Sequence, residues 1–242
     1  MVRQHRLVYA ALILALIANM ALWASVRDVK GRWQNVPPVP SENGILVFSL
    51  GDPQFAYRFV GLMLQNLGDI GGRSTMLRDY DYNTLTKWFY LSDKLDPRSE
   101  FVPYLASYYY GAVTPPEVMR PMLAYLRDAG SREGGERWRW LAQAVYLARF
   151  GLHDMDYATT LAYELADHPS TDMPGWARQM PAYVLNAKGD KEAAYNIMTQ
   201  TLKSSADKLA PQEVNSMRLY ICTRILNKQQ AQEDPLCENL PL

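Results

Sequence analysis

The sequence predicts an all-α protein: one N-terminal membrane-spanning helix followed by a stack of helix hairpins. Three observations carry that expectation. Leu7 to Val26 is an uncharged apolar run, and a frame of aromatic, small, large and turn residues recurs four times in the rest of the chain. The abundant rings, 16 tyrosines and 6 tryptophans, come without alternating β-branched runs that would signal sheet. A chain of 242 residues suits one soluble unit after such a leader. Lys plus Arg and Asp plus Glu balance at 25 each, so no net field favours nucleic acid, and none is expected as a partner.

Taking the elements in order, residues 1–6 form a short basic tail and residues 7–26 the membrane anchor. At 1.5 Å per residue the run covers about 30 Å, the thickness of a bilayer core. A cleaved signal peptide is the competitor, but cleavage after Ala24 would place Leu22 where a small residue is needed, so a retained anchor is preferred. Arg3 and Arg6 before the run nearly balance Arg27, Lys30 and Arg32 after it, and the count leaves orientation open. A tail this short is expected to stay cytoplasmic, which places a single-pass protein in the inner cell membrane with its soluble part in the periplasm. Ala11, Ala15 and Asn19 share one stripe, a contact surface for a second transmembrane helix; the competing explanation, which has the greater weight, is ordinary alanine usage with Asn19 bonded to its own backbone.

Residues 27–44, with Val36-Pro37-Pro38-Val39-Pro40, read as an extended spacer. Order is expected to resume at Ile45, in a segment that is either a short strand or an apolar entry piece.

Between residues 45 and 209 four hairpins are expected. The repeated frame places an aromatic first, then a small residue, a large one, and Gly or Thr: Phe55/Gly61/Leu64/Gly68, Phe101/Ser107/Tyr110/Thr114, Trp138/Ala144/Leu147/Gly151 and Trp176/Ala182/Leu185/Gly189. The small residue lets two helix axes approach, the large one fills the groove beside it, and the final glycine ends the helix in a left-handed turn. Second helices are expected at Tyr82–Asp96, Pro115–Asp128, Met155–Asp167 and Asp190–Ser205, with Pro97 and Pro169 ending two of them. Residues 210–228 should form a capping helix with Val214, Met217, Ile221 and Ile225 on one face, and residues 229–242 a tail.

This arrangement resembles the tetratricopeptide repeat family. The fourth unit carries the likeness best, with Ala182, Leu185, Gly189, Ala194 and Met198 at the family's small-large-turn-small-large spacing, and Leu95-Asp96-Pro97 looks like its repeat terminus. The first unit departs through an insertion at Gly71-Gly72, the second lacks its turn glycine, and the third has Ala158 late. The aromatic positions are also spaced more widely than the family's roughly 34 residues. The resemblance covers residues 53–206 and implies a right-handed α-α superhelix whose first helices line a concave face. It implies groove residues at Arg58, Gln65, Tyr104, Tyr108, Arg149, Gln179, Tyr183 and Asn186, suited to an extended peptide of another protein. For Tyr104 and Tyr108, packing between repeats is the competing role.

No constellation points to chemistry. Nucleotide-binding glycine motifs, the HExxH zinc motif and the nucleophile elbow are all missing from the sequence, so no catalytic residue, cofactor or metal is expected. His153-Asp154-Met155-Asp156 is better explained by Asp154 capping a helix. Glycoside hydrolysis on a helical scaffold is the weakest alternative, because Asp52, Asp69, Asp96 and Asp190 flank turns. The expected function is a membrane-tethered interaction scaffold in envelope assembly. The main alternative is a structural subunit held through its transmembrane helix. Cys222 and Cys237 are either two reduced thiols or, outside the cytosol, a disulfide that closes the tail.

Overall fold

In a computed structural model of the chain, residues 2–27, 35–68, 75–205 and 209–240 are described, and their regular structure is entirely helical. Residues 28–34 of the expected spacer and 69–74, which hold Asp69 and the Gly71-Gly72 insertion, lie outside them. The chain divides into two compact units, Met1–Gln34 and Asn35–Leu242.

The first unit is α1 (Val2–Val26), one uninterrupted helix. Its Val8–Val26 stretch is long and apolar enough to cross a membrane, or to serve as a signal sequence, and none of it is buried. Ala11, Ala15 and Asn19 are exposed on it.

The second unit begins with chain that is packed, which corrects the free spacer expected for residues 35–44. Val36 is buried, Asn35 Oδ1 accepts the Asp81 N–H at 2.9 Å, and the Pro37 carbonyl accepts the Trp88 indole N–H at 2.8 Å. Prolines keep this stretch extended, so its carbonyls stay available to neighbours. The next segment is helical, neither strand nor irregular: α2 (Glu42–Phe48) is capped by the Ser41 hydroxyl, which accepts the Gly44 N–H at 3.1 Å. With Ile45 its one buried residue, α2 leaves most of its apolar surface outside.

The four frames fall on α3 (Pro53–Gln65), α5 (Phe101–Tyr104) with a π-helical continuation (Leu105–Tyr110), α7 (Trp138–Phe150), and α9 (Gly175–Arg178) with α10 (Met180–Lys188). The segments expected as second helices are α4 (Tyr82–Leu95), α6 (Arg120–Gly130), α8 (Met155–Ala166) and α11 (Lys191–Ser205). Each first helix packs on its second, and successive pairs join through α4 with α6, α6 with α7, and α8 with α10. Local chemistry starts several of them: the Asp52, Asp81 and Asp154 carboxylates accept amide protons of the first turns of α3, α4 and α8.

Three details differ from expectation. α6 starts at Arg120 rather than Pro115, after a 3-10 turn at Pro116–Val118. The fourth first helix is interrupted at Gln179, just before Pro181, which has no N–H to donate. Gly68 and Gly189 take the left-handed conformation at φ 105° and 98°, but Gly151 does not; His153, at φ 57°, makes that turn instead.

After the fourth pair, α12 (Pro211–Tyr220) runs into a π turn (Ile221–Ile225), followed by α13 (Lys228–Glu233) and a 3-10 turn at Pro235–Cys237. A disulfide joins Cys222 to Cys237, both buried, so the expected tail is tied to the π turn.

The body has two apolar clusters. One runs from Val36 to Val184; the other gathers Ala182, Met198, Ile221 and their neighbours around the disulfide. Polar groups inside the first cluster are paired across elements. Tyr110 is fully buried and donates its hydroxyl to the Leu64 carbonyl at 2.5 Å, and burial holds its phenol proton well beyond the usual range. Asp93 on α4, 5% exposed, accepts from Tyr125 Oη on α6 at 3.0 Å, and Arg132 Nη2 lies 2.8 Å from its other oxygen.

Candidate functional site

The outward sides of the first helices carry most of the residues implied for a groove. On α3, Arg58 and Gln65 are exposed beside Phe55, Phe59 and Leu62, positions three to four apart that share one helix face. In the second hairpin Tyr104 and Tyr108 are about half exposed, with ring centroids 5.2 Å apart. Their spacing crosses from α5 into the π-helical turn, a geometry that often marks functional sites. Gln143 of α7 donates its side-chain amide to the Tyr108 hydroxyl at 2.8 Å, and the Trp140 ring meets Tyr108 edge-on at 6.4 Å.

Beside this pair lies an open hollow of about 550 Å³ floored by Phe101, Tyr104 and Trp140 and rimmed by Glu100, Glu136 and Arg139. The Trp140 indole donates to the Glu100 carboxylate, and Arg139 pairs with Glu136 at 2.7 Å, so the rim is zwitterionic. Gly135 lines this hollow and a second of about 300 Å³, where Gly134 meets the His168–Asp172 connection. Ser170 N–H donates to His168 Nδ1 at 3.2 Å. The whole surface offers ring faces, amides and paired charges, a combination suited to holding a peptide.

In the third hairpin Arg149 is half-buried, with its guanidinium 4.5 Å from the Phe150 ring centre. The fourth hairpin corrects the implied groove. Gln179 is buried and accepts from the Tyr183 hydroxyl at 2.9 Å; the Tyr183 ring stands perpendicular to Tyr220 at 4.7 Å; Asn186 donates to the Tyr220 hydroxyl at 2.9 Å. Tyr220 of α12 engages these side chains, so they hold the end of the body together rather than line a free surface. The repeat spacing does not encode the contact of Tyr220 with α10.

The frame aromatics divide as well. Phe101 packs against Gly61 and Trp138 against Trp176 at 5.7 Å, two seams between successive hairpins. Trp140, Gln143, Glu100 and Arg139 went unrecognised in the sequence; the one available signal was the Trp-Arg-Trp run at 138–140, where the second ring lies outside the frame. Asp154 acts as the expected cap, accepting the Tyr157 N–H at 2.9 Å, and pairs with Arg120 at 2.6 Å. Among the described residues, no three His, Cys, Asp or Glu side chains are grouped to hold a metal ion.

No protein-family model matches the chain, and neither does any curated protein or solved structure.

Proposed function

We propose that this chain is a membrane-tethered protein interaction scaffold, an adaptor in cell-envelope assembly that holds an extended segment of a partner on the first-helix face of a tetratricopeptide-like stack. The observation that carries this reading is the half-exposed Tyr104–Tyr108 pair, steadied by Gln143 and adjoining the hollow over Phe101 and Trp140. Rings held in place but open to solvent give a partner large contact area at little ordering cost. The stack reading is supported by hairpins that pack mainly on sequence neighbours, as repeat proteins do. On this reading α1 spans the inner membrane and the body is periplasmic, which the Cys222–Cys237 bond favours because such bonds persist in oxidising compartments.

The test is cross-linking of the full chain in native membranes followed by mass spectrometry, comparing wild type with Tyr104→Ala/Tyr108→Ala and with Arg149→Glu. The tyrosine variant should lose its main cross-linked partner while keeping its helicity and melting temperature. Undiminished capture by a folded Tyr104→Ala/Tyr108→Ala chain would sink the assignment of the face.

A second reading, a structural subunit held through α1, draws on the exposed stripe of Ala11, Ala15 and Asn19. Exchanging α1 for an unrelated span would then abolish association, whereas the scaffold reading predicts that it survives.

A further inference from the structure

The turn between α2 and α3 is built against ordinary folding preferences. α2 ends in two characteristic backbone bonds, Gly51 N–H to the Leu46 carbonyl at 2.7 Å and Leu50 N–H to the Val47 carbonyl at 3.2 Å. This closure needs one residue in the left-handed region, where glycine is the usual occupant. Here Leu50 takes that place at φ 55°, and the residue is 96% exposed. A leucine in that position is disfavoured both by backbone sterics and by water.

Leu50 does not stand alone. Val47 and Phe48 of α2 and Phe55, Phe59 and Leu62 of α3 are exposed, and the Phe48 and Phe59 rings meet at 4.9 Å, joining the two helices into one apolar surface. None of these six side chains has a hydrogen-bonding group, unlike the tyrosines that dominate the second hairpin's face. Eight Cα steps link Arg27 to Asn35, at most about 28 Å of extended chain. Where α1 spans a membrane, that length is the upper limit on the distance from Asn35 to the end of the span at Arg27, which leaves the bilayer surface within reach of the body. Asp52 is occupied as the α3 cap, and the exposed Arg58 lies beside Phe55, Phe59 and Leu62, placed for a headgroup phosphate.

We propose that the α2–α3 tip is a lipid-docking element, with Leu50, Phe48 and Phe59 seated among the upper acyl chains of the membrane that α1 spans. This rests on the tether reading and narrows the partner face to the second and third hairpins, because Arg58 then faces lipid. Six apolar side chains need no specific headgroup, so a zwitterionic surface suffices.

The test uses the full chain in phosphatidylcholine vesicles with a spin label at Leu50→Cys, Glu192→Cys or Ile13→Cys; the native cysteines are bonded to each other and do not compete. Oxygen partitions into acyl chains and a nickel chelate stays in water, so the Leu50 label should show a ratio of oxygen to nickel accessibility several-fold above that of the Glu192 label. Equal ratios at Leu50 and Glu192 overturn the proposal, as does dipolar broadening between Leu50 labels, which would mean that a second copy covers the patch. A lipid-exposed Ile13 label with a water-exposed Leu50 label defeats this inference alone; a water-exposed Ile13 label defeats the tether itself. A second variant keeps folding out of the answer. Leu50→Gly relieves the left-handed strain, so it should melt no lower than wild type while a label at Phe59→Cys loses lipid contact. If Leu50→Gly instead melts lower, Leu50 serves the fold and the proposal falls.

Discussion

The Phe101 ring lies so close to Gly61 that a methyl group built on the glycine would sit 3.1 Å from ring carbon Cε1. This contact joins the first hairpin to the second, and the fit sets the tolerance. Gly61→Ala gains up to about 1 kcal/mol of helix propensity and forces the ring to yield by a few tenths of an ångström, so it should be near neutral. Gly61→Val overpacks the seam and should cost about 1–3 kcal/mol. Pairing Gly61→Val with Phe101→Leu should recover part of that loss; strictly additive melting shifts would show that the two residues are not coupled.

Gly130 is a tighter case. An added Cβ there would lie 2.3 Å from the Leu141 backbone nitrogen, where α6 packs on α7, and backbone cannot step aside as a side chain can. Gly130→Ala should therefore cost at least about 2 kcal/mol, at the upper end of overpacking effects, although alanine is the better helix former. Thermal melting decides it: for a body of this size about 1 kcal/mol shifts the midpoint by roughly 2–4 °C.

Asp93 and Tyr125 make a buried pair that loses by partial removal. Tyr125→Phe takes away the hydroxyl that donates to Asp93 Oδ1 and should cost about 1–3 kcal/mol, read from urea midpoints.

The same aspartate shapes acid stability. Burial outweighs the opposing Arg132 charge and raises the Asp93 pKa, so the folded state holds that proton more tightly than the unfolded one. Its contribution to stability therefore grows as pH falls toward the ordinary carboxylate value near 3.9. Asp96, lowered chiefly by the Gln54 amide, and Asp154, lowered chiefly by the Tyr157 N–H, act with the opposite sign: their stabilisation is present above about pH 4 and is lost as pH falls through their depressed values. Between neutral pH and pH 4, Asp93→Asn should flatten the dependence of the urea midpoint on pH relative to wild type. A parallel displacement of the two curves would show that Asp93 does not titrate in that window.

Reduction of Cys222–Cys237 opens a loop of about 15 residues, a constraint worth roughly 3 kcal/mol through unfolded-chain entropy. Cys222→Ser/Cys237→Ser should melt lower by several degrees, and amide exchange should accelerate first at Lys228–Glu233 and Ile221–Ile225, the segments the bond ties together.

The positions of the helices were legible in the residues because the signals are local. Apolar spacing placed α4, α8 and α11 within a residue of their ends, and Asp81 and Asp154 mark helix starts with their own carboxylates. Only the tertiary structure decided which surfaces remain open. Asn35 and Pro37 bind the start and middle of α4, at Asp81 and Trp88, through hydrogen bonds that span 46 and 51 residues of sequence, and Tyr220 reaches back 34 residues to Asn186. Periodicity tells which face of a helix avoids water, but not which neighbour that face meets, since this depends on the register between helices. The same limit hid the α2–α3 tip: in the sequence Val47, Phe48 and Leu50 are one more apolar run, and only the fold shows that α2 buries Ile45 and leaves these three exposed.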